Sequence, residues 1–272
     1  MTVLDDVLHD LTAESEQLDG WLGNLNAADW STVTTDEGWT VAHQVAHLYW
    51  TDDASLVAIA GGEPFDALMA TAAADPTGFV DTEAERLSLT PPVDLLAAWR
   101  AGRAELARAL RGVPDGQKIP WFGPPMSSTS MATARFMETW AHSHDVAESL
   151  GIEVPRTERV RHVCHLGVRT RGFAFLMRGR EAPAAEVRVE LTSPSGEAWA
   201  WGPADAADRV TGDAWDFGLL ATRRRHRHDV DVQAEGPAAE DWLDIVQTFA
   251  GLPGNDPQRL SERPADRGMA DR

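Results

Sequence analysis

The chain has 272 residues, enough to bury a full core, and the usual ~100–200 residues per domain suggest two domains. Its formal net charge of −19, spread along the chain, reads as a solubility surface and excludes a nucleic-acid partner, because phosphate binding is driven by clustered Lys and Arg. The single cysteine, Cys164, excludes an intrachain disulfide framework and a thiolate zinc cluster, and fits a reducing cytoplasm.

The N-terminus, MTVLDDVLHDL, has no basic segment followed by an apolar one, and no apolar run approaches the ~18 residues of a membrane span. A soluble, cytoplasmic protein with no membrane partner is expected. Basic charge is almost all Arg, Lys118 being the single Lys, a bias associated with GC-rich bacterial genomes.

Residues 3–25 place Val3, Leu4, Val7, Leu8, Leu11, Leu18, Leu22 and Leu25 at three- and four-residue spacings, which predicts an amphipathic helix. A turn through Asn26–Gly38 follows, with Trp30 as its anchor. Thr40 can cap a second helix that stops at Gly61-Gly62. Residues 61–90 are rich in Ala, Gly, Asp and Thr and predict one weak helix inside a long connection. Pro91-Pro92 opens a third strong helical pattern, ending near Gly112-Val113-Pro114. The segment Ile119–Pro125 is too rich in Pro and Gly for regular structure, and its Trp121 and Phe122 can either line a pocket mouth or pack as an aromatic loop. Ser127 or Ser128 can cap a helix that ends at Gly151. Four main helices are consistent with an antiparallel bundle.

After Pro155 the pattern changes. Val160–Leu176 predicts a helix, Glu186–Leu191 alternates as a half-buried strand does, and Ala198–Trp201 reads as its hairpin partner across Ser193–Gly196. Ala214–Thr222 returns to helix, Val230–Gln233 can be a short strand, and Ala238–Phe249 predicts a final amphipathic helix. The end of the chain is rich in Pro, Asp and Arg. The expected organisation is therefore α followed by α+β: a helical bundle over 1–155, a smaller α+β domain over 156–252, and a disordered tail over 253–272.

The stretch RFMETWAHSHD at Arg135–Asp145 carries the chemistry. Glu138 and His142 lie one helical turn apart on one face, a carboxylate and an imidazole suited to half of a divalent-metal site that another element completes. The helix containing WTVAHQVAHLYW, Trp39–Trp50, offers His43 and His47. Three such donors suffice for a catalytic metal, because positions then stay open for water or substrate. On spacing alone the signal is weak, because a Glu and a His four apart recur by chance and a solvated helix face is the commoner explanation of the pair.

With WTVAHQVAHL at 39–48 and RFMETWAHSHDVAESLG at 135–151, the sequence resembles the metal-binding N-terminal domain of the mycothiol-dependent maleylpyruvate isomerase family, part of the wider DinB-like four-helix bundles. The resemblance runs from about residue 8 to 152. It implies His47, Glu138 and His142 as metal ligands, with Zn²⁺ as the first-choice ion, and Asp145 as a hydrogen-bond partner of a ligand. It also implies the thiol mycothiol as cofactor and isomerase or S-transferase chemistry on a small electrophilic substrate. WGP at 201–203, RRRHRH at 223–228 and WLDIVQTFAGLPG at 242–254 resemble an uncharacterised actinobacterial branch, whose C-terminal region is distantly similar to sterol-carrier-like domains. Within the basic run, Arg223, Arg224 and Arg225 can clamp carboxylates or phosphates of a thiol cofactor or substrate, or simply form a solvated strand entry. Arg135 and Arg224 join Asp145 as catalytic candidates, Arg135 also reading as the partner of an acidic neighbour. His144 points about 200° away from His142 on an ideal helix and reads as structural. Two further readings stay open: a metal Lewis acid acting without a thiol, with His43 as the closing ligand if the ion were only structural, and a non-catalytic small-molecule binding protein. A monomer or a homodimer is expected.

Overall fold

The structure is a computed structural model that describes residues 2–35, 38–251, 254 and 256–262. The tail expected over 253–272 lies for the most part outside the described residues. The chain divides into two compact units, Met1–Pro155 and Arg156–Arg272. No described helix is long and apolar enough to cross a membrane.

The first unit is helical. Helix α1, Val3–Leu22, starts at a capping box in which Thr2 and Asp5 bond each other's backbone N–H groups. Helix α2, Val41–Ala60, follows the turn anchored by buried Trp30 and stops at Gly61 and Gly62, both at positive φ. The connection over 61–90 holds two helices rather than one weak one: α3, Glu63–Ala74, and α4, Phe79–Ser88. Pro76 interrupts the ladder between them, and the Asp75 carboxylate accepts the N–H of Gly78 at 2.9 Å to close the turn. Helix α5, Pro92–Gly112, opens on its prolines as expected. Helix α6, Ser128–Leu150, begins at Ser127, whose hydroxyl accepts the Ser130 N–H at 3.1 Å. It ends at Gly151 in the left-handed conformation, with the Ile152 N–H donating to Ala147 O at 2.8 Å, a Schellman closure.

Helix α2 packs against α4, α5 and α6, and α1 against α5 and α6. Among the described residues, two apolar clusters help to hold this unit. One gathers Leu18, Leu22, Trp30, Val45, Leu48, Leu95, Trp99 and Val146, and the other Val7, Leu8, Ala58, Phe65, Leu106, Leu110 and Met131. A polar seam joins the facing sides of α2 and α6. Gln44, His47, Thr51 and Ser55 recur every three or four residues on α2, and Arg135, Glu138, His142 and Asp145 do so on α6. All of these are buried except Glu138, which is partly exposed. Burying so many polar groups is costly unless each is bonded, so this seam marks where the fold gives up apolar packing.

The second unit centres on a four-stranded sheet of order β2-β1-β3-β4, made of β1 Val187–Thr192, β2 Ala198–Trp201, β3 Asp208–Asp213 and β4 Val232–Glu235. The first two strands form the expected antiparallel hairpin, with Val189 opposite Trp201, while β3, absent from the sequence expectation, pairs parallel to β1 and antiparallel to β4. Val187, Val189 and Leu191 bury one face. The helix expected over Val160–Leu176 is two, α7 Arg161–Arg169 and α8 Arg171–Leu176, broken at Thr170, whose hydroxyl lies 2.8 Å from Gln247 O and 2.9 Å from Leu166 O. Helix α9, Ala214–Ala221, follows β3 directly. Helix α10, Pro237–Leu243, starts where Asp208 Oδ1 accepts the N–H groups of Ala238 and Ala239. It ends six residues short of the expected Phe249, because the chain then turns so that the Thr248 N–H can donate to Ala221 O at 3.0 Å.

Candidate metal centre

His47 on α2 and Glu138 and His142 on α6 converge in the polar seam, and their ligand atoms all lie within 4.8 Å of one another. Both imidazole Nε2 atoms lie 3.2 Å from the same carboxylate oxygen, Glu138 Oε2. The two rings are buried and their centroids are 4.6 Å apart. Glu138 is the more exposed of the three, so solvent reaches the cluster on its side.

Burial pushes the pKa of His47 down to about 4, and only part of this is returned by the bond to Glu138. Burial alone would raise the Glu138 pKa, but hydrogen bonds from His142 and His47 outweigh it and hold the group well below the usual carboxylate range. At neutral pH the cluster therefore presents a neutral His47 and an ionised Glu138, the protonation state in which these side chains bind metal. His47 Nδ1 is buried without a hydrogen-bond partner among the described residues. A hard carboxylate and two imidazoles make an ordinary donor set for Zn²⁺ and its first-row neighbours, so the residues present fit such an ion.

The metal-free protein should lose stability as pH falls from 6.5 to about 4. In that window an unfolded chain protonates His47 while the folded one resists, so the unfolded state binds more protons. The loss attributable to this side chain is at most about 3 kcal/mol at ~1.36 kcal/mol per pKa unit. Chemical unfolding of metal-free protein across this range measures it, and His47→Leu should flatten the slope.

The other candidates sort by their contacts. Asp145 is buried with Oδ2 3.5 Å from His142 Nδ1, and its Oδ1 accepts the Thr35 hydroxyl at 3.4 Å. Arg135 is turned to α2: its Nε donates to Asp52 Oδ1 at 3.0 Å and its Nη2 to Thr51 Oγ1 at 2.5 Å. His43 stands apart from the cluster, with Nδ1 2.8 Å from the Thr40 hydroxyl and Nε2 2.7 Å from Glu85. It therefore closes the start of α2 instead of the metal site. His144 faces the Trp140 carbonyl at 2.6 Å. Cys164 is fully buried, and burial pushes its thiol pKa far up, which leaves it inert.

Two features are invisible to spacing arguments. Gln44, one turn before His47, places its Oε1 in hydrogen-bond contact with His142 Nδ1. An aromatic wall also flanks the cluster. Trp39 stacks on His142, ring centroids 6.0 Å apart, while its Nε1 donates to Asp81 at 3.1 Å, and Trp50 adjoins His47 at 6.2 Å. Phe79 and Phe122 pack on Trp50, so Phe122 belongs to this wall, with Trp121 against it. The helical propensity of 61–90 gave no sign that Phe79 on α4 would be brought here.

In the second unit, Arg223 and Arg225 line a cavity of about 280 Å³ together with His226, Arg227 and His228. Arg223 sits at positive φ and bonds Asp256 at 2.7 Å, whereas Arg224 donates to Thr222 O at 2.7 Å and Arg225 to Arg224 O at 2.9 Å.

The fold and the cluster define a helical protein with a two-histidine, one-glutamate centre, followed by a small sheet unit. The chain belongs to the mycothiol maleylpyruvate isomerase N-terminal domain family, whose model matches residues 11–147. Residues 183–235 match the wyosine base formation family. Two Mycobacterium tuberculosis proteins, uncharacterized protein Rv0036c of strain H37Rv and uncharacterized protein MT0041 of strain CDC 1551, are each 52% identical over 245 residues, 90% of this chain and 95% of theirs. The crystal structure of the mycothiol-dependent maleylpyruvate isomerase superposes with a TM-score of 0.59 at 17% identity, covering 88% of this chain and 98% of that one. A histidine-to-alanine mutant of that enzyme gives 0.60 at 16% over the same shares. At such identities the likeness is one of fold.

Proposed function

We propose that this protein is a metal-dependent enzyme of the thiol-dependent isomerase or S-transferase kind. His47, Glu138 and His142 are its metal ligands, Zn²⁺ its ion and mycothiol its thiol. The observation that carries this reading is the convergence of three metal-binding side chains in the buried seam of a chain whose family is named for mycothiol maleylpyruvate isomerase. We read the helical unit as a DinB-like antiparallel four-helix bundle over 1–155 and residues 156–252 as the α+β domain, sterol-carrier-like in the distant sense given above. The protein is taken to act in the cytoplasm as a monomer or homodimer.

When bound, a divalent ion with open positions lowers the pKa of a thiol or water and polarises a carbonyl oxygen. The chain's own residues set the conditions for that chemistry. Two neutral imidazoles and one carboxylate leave a net charge of about +1 on the centre, enough to favour an anionic thiol. Trp39, Trp50, Phe79 and Phe122 exclude water on one side and offer flat apolar faces to a small conjugated electrophile. Asp145 supports the His142 ring. Within the second unit, taken by itself, Arg223, Arg224 and Arg225 are candidates to bind carboxylates or phosphates.

Cobalt-loaded protein tests the thiol. Titration with mycothiol should change the visible ligand-field bands and add a sulfur-to-metal absorption. An unchanged spectrum at saturating thiol would favour a Lewis-acid enzyme that works without it.

A further inference from the structure

On the anion-binding reading of Arg223 and Arg225, and independently of the metal, we propose that the basic cavity of the second unit binds a small phosphate monoester with an apolar body. Its built-in competitor is the Asp256 carboxylate. Arg223, Arg225, His226, Arg227 and His228 all line this cavity of about 280 Å³, and Leu220, Leu243 and Val246 add apolar surface to it. Arg224, which donates to Thr222 O, is not one of its lining residues. A second cavity, of about 340 Å³, shares Arg227, His228 and Asp244 with the first, so Arg227 stands where the two adjoin.

Two arginines carry the assignment. Arg223 takes the left-handed conformation, φ 61°, just past the end of α9, where glycine is the residue without strain. The chain accepts that strain and sets in the cavity wall a guanidinium side chain that is 10% exposed. It bonds Asp256 at 2.7 Å, and this carboxylate is 76% exposed, so an anion position of the cavity is held by a group that solvent reaches. Arg227 is fixed by its Nη1, which donates to Val232 O at 2.7 Å. Its Nη2 lies 3.5 Å from Glu240, beyond a good hydrogen bond, and its Nε is buried with no hydrogen-bond partner among the described residues. A buried guanidinium N–H without an acceptor is costly, and a phosphate oxygen would satisfy it. His226 Nδ1 accepts the His228 N–H at 3.1 Å, which leaves Nε2–H as the donor of that ring. Guanidiniums and an imidazole donor around one cavity suit a dianion with several acceptor oxygens better than a carboxylate, and the volume suits a small molecule. Asp244 and Asp256 oppose such a ligand, and Asp256 does so while bonded to Arg223, on a segment pinned where the Leu260 N–H donates to Asp229 Oδ2 at 2.8 Å.

Calorimetric titration of the full chain with phenyl phosphate tests this, at about pH 8 where the ester is a dianion, beside inorganic phosphate and benzoate. Phenyl phosphate should bind about tenfold more tightly than either, since one lacks its apolar body and the other its second charge. Arg227→Gln should weaken it about tenfold, as for loss of one charge-assisted hydrogen bond. Asp256→Asn should tighten it about two- to fivefold, the scale of an exposed ion pair. Because Asp256 is exposed, that variant reports even if Arg227→Gln proves unstable by circular dichroism. Phenyl phosphate affinity unchanged in Arg227→Gln, or not raised in Asp256→Asn, overturns the proposal, and equally tight benzoate or inorganic phosphate overturns the ligand class. Binding that survives Arg227→Gln but is lost in Arg224→Gln would place the anion on the basic run outside this cavity, whereas no binding of any of the three anions would remove both readings.

Discussion

Arg135→Ala is expected to destabilise the protein by about 3–5 kcal/mol, the usual consequence of removing one partner of a buried ion pair. Arg135 is 2% exposed, and its guanidinium joins α6 to α2 through Asp52 and Thr51. Burial already raises the Asp52 pKa against the pull of Arg135. Without the arginine, the carboxylate must either stay charged in an apolar setting or take up a proton. The Thr51 hydroxyl, which donates to His47 O at 2.7 Å, also loses its donor from α6. The double variant Asp52→Leu/Arg135→Met should recover most of the stability, because well-packed apolar residues often replace a buried pair at little cost. Urea unfolding measures both. A substrate-clamping arginine behaves otherwise: Arg135→Ala would then unfold like wild type and show only weakened substrate binding.

The same seam explains what could be read from the sequence and what could not. Glu138 and His142 stand out in the sequence as a carboxylate and an imidazole four apart on one helix, whereas spacing leaves His43 and His47 both open on the other and only the family resemblance singles out His47. Gln44 lies on the same face of α2 but is chemically ordinary; only its contacts with Thr34 and His142 reveal its place. The long capped helices were legible for the same local reasons that form them, namely Thr2, Ser127, Gly61 and Gly151 at their ends. Strand β3 was not, since DRVTGD has a single large apolar residue, Val210, and owes its conformation to pairing with β1 and β4. Gly212 is required there, because a Cβ would meet Asp231 O at 2.2 Å. The ends of α7 and α10 depended likewise on distant carbonyls, those of Gln247 and Ala221, which no local pattern announces.

Loss of any one of the three converging side chains should abolish stoichiometric metal binding while leaving the helices intact. The apolar clusters on either side of the seam do not include these residues, so the fold has independent support. Removing Glu138 deletes the only formal charge among the three, and removing His47 deletes the only one of the three donors contributed by α2. In each case two donors remain, too few for a tightly held ion at a buried site. Metal binding should also raise the melting temperature of wild type alone, by mass action on the native state.

Elemental analysis of the purified protein is the most direct measurement, made beside His47→Ala and Glu138→Ala. The predicted result is about one divalent metal per chain in wild type, a stoichiometry set by one three-ligand site, and none in either variant, with helical circular dichroism preserved. A wild type that carries no metal and cannot be loaded with any, or variants that keep theirs, would contradict the account.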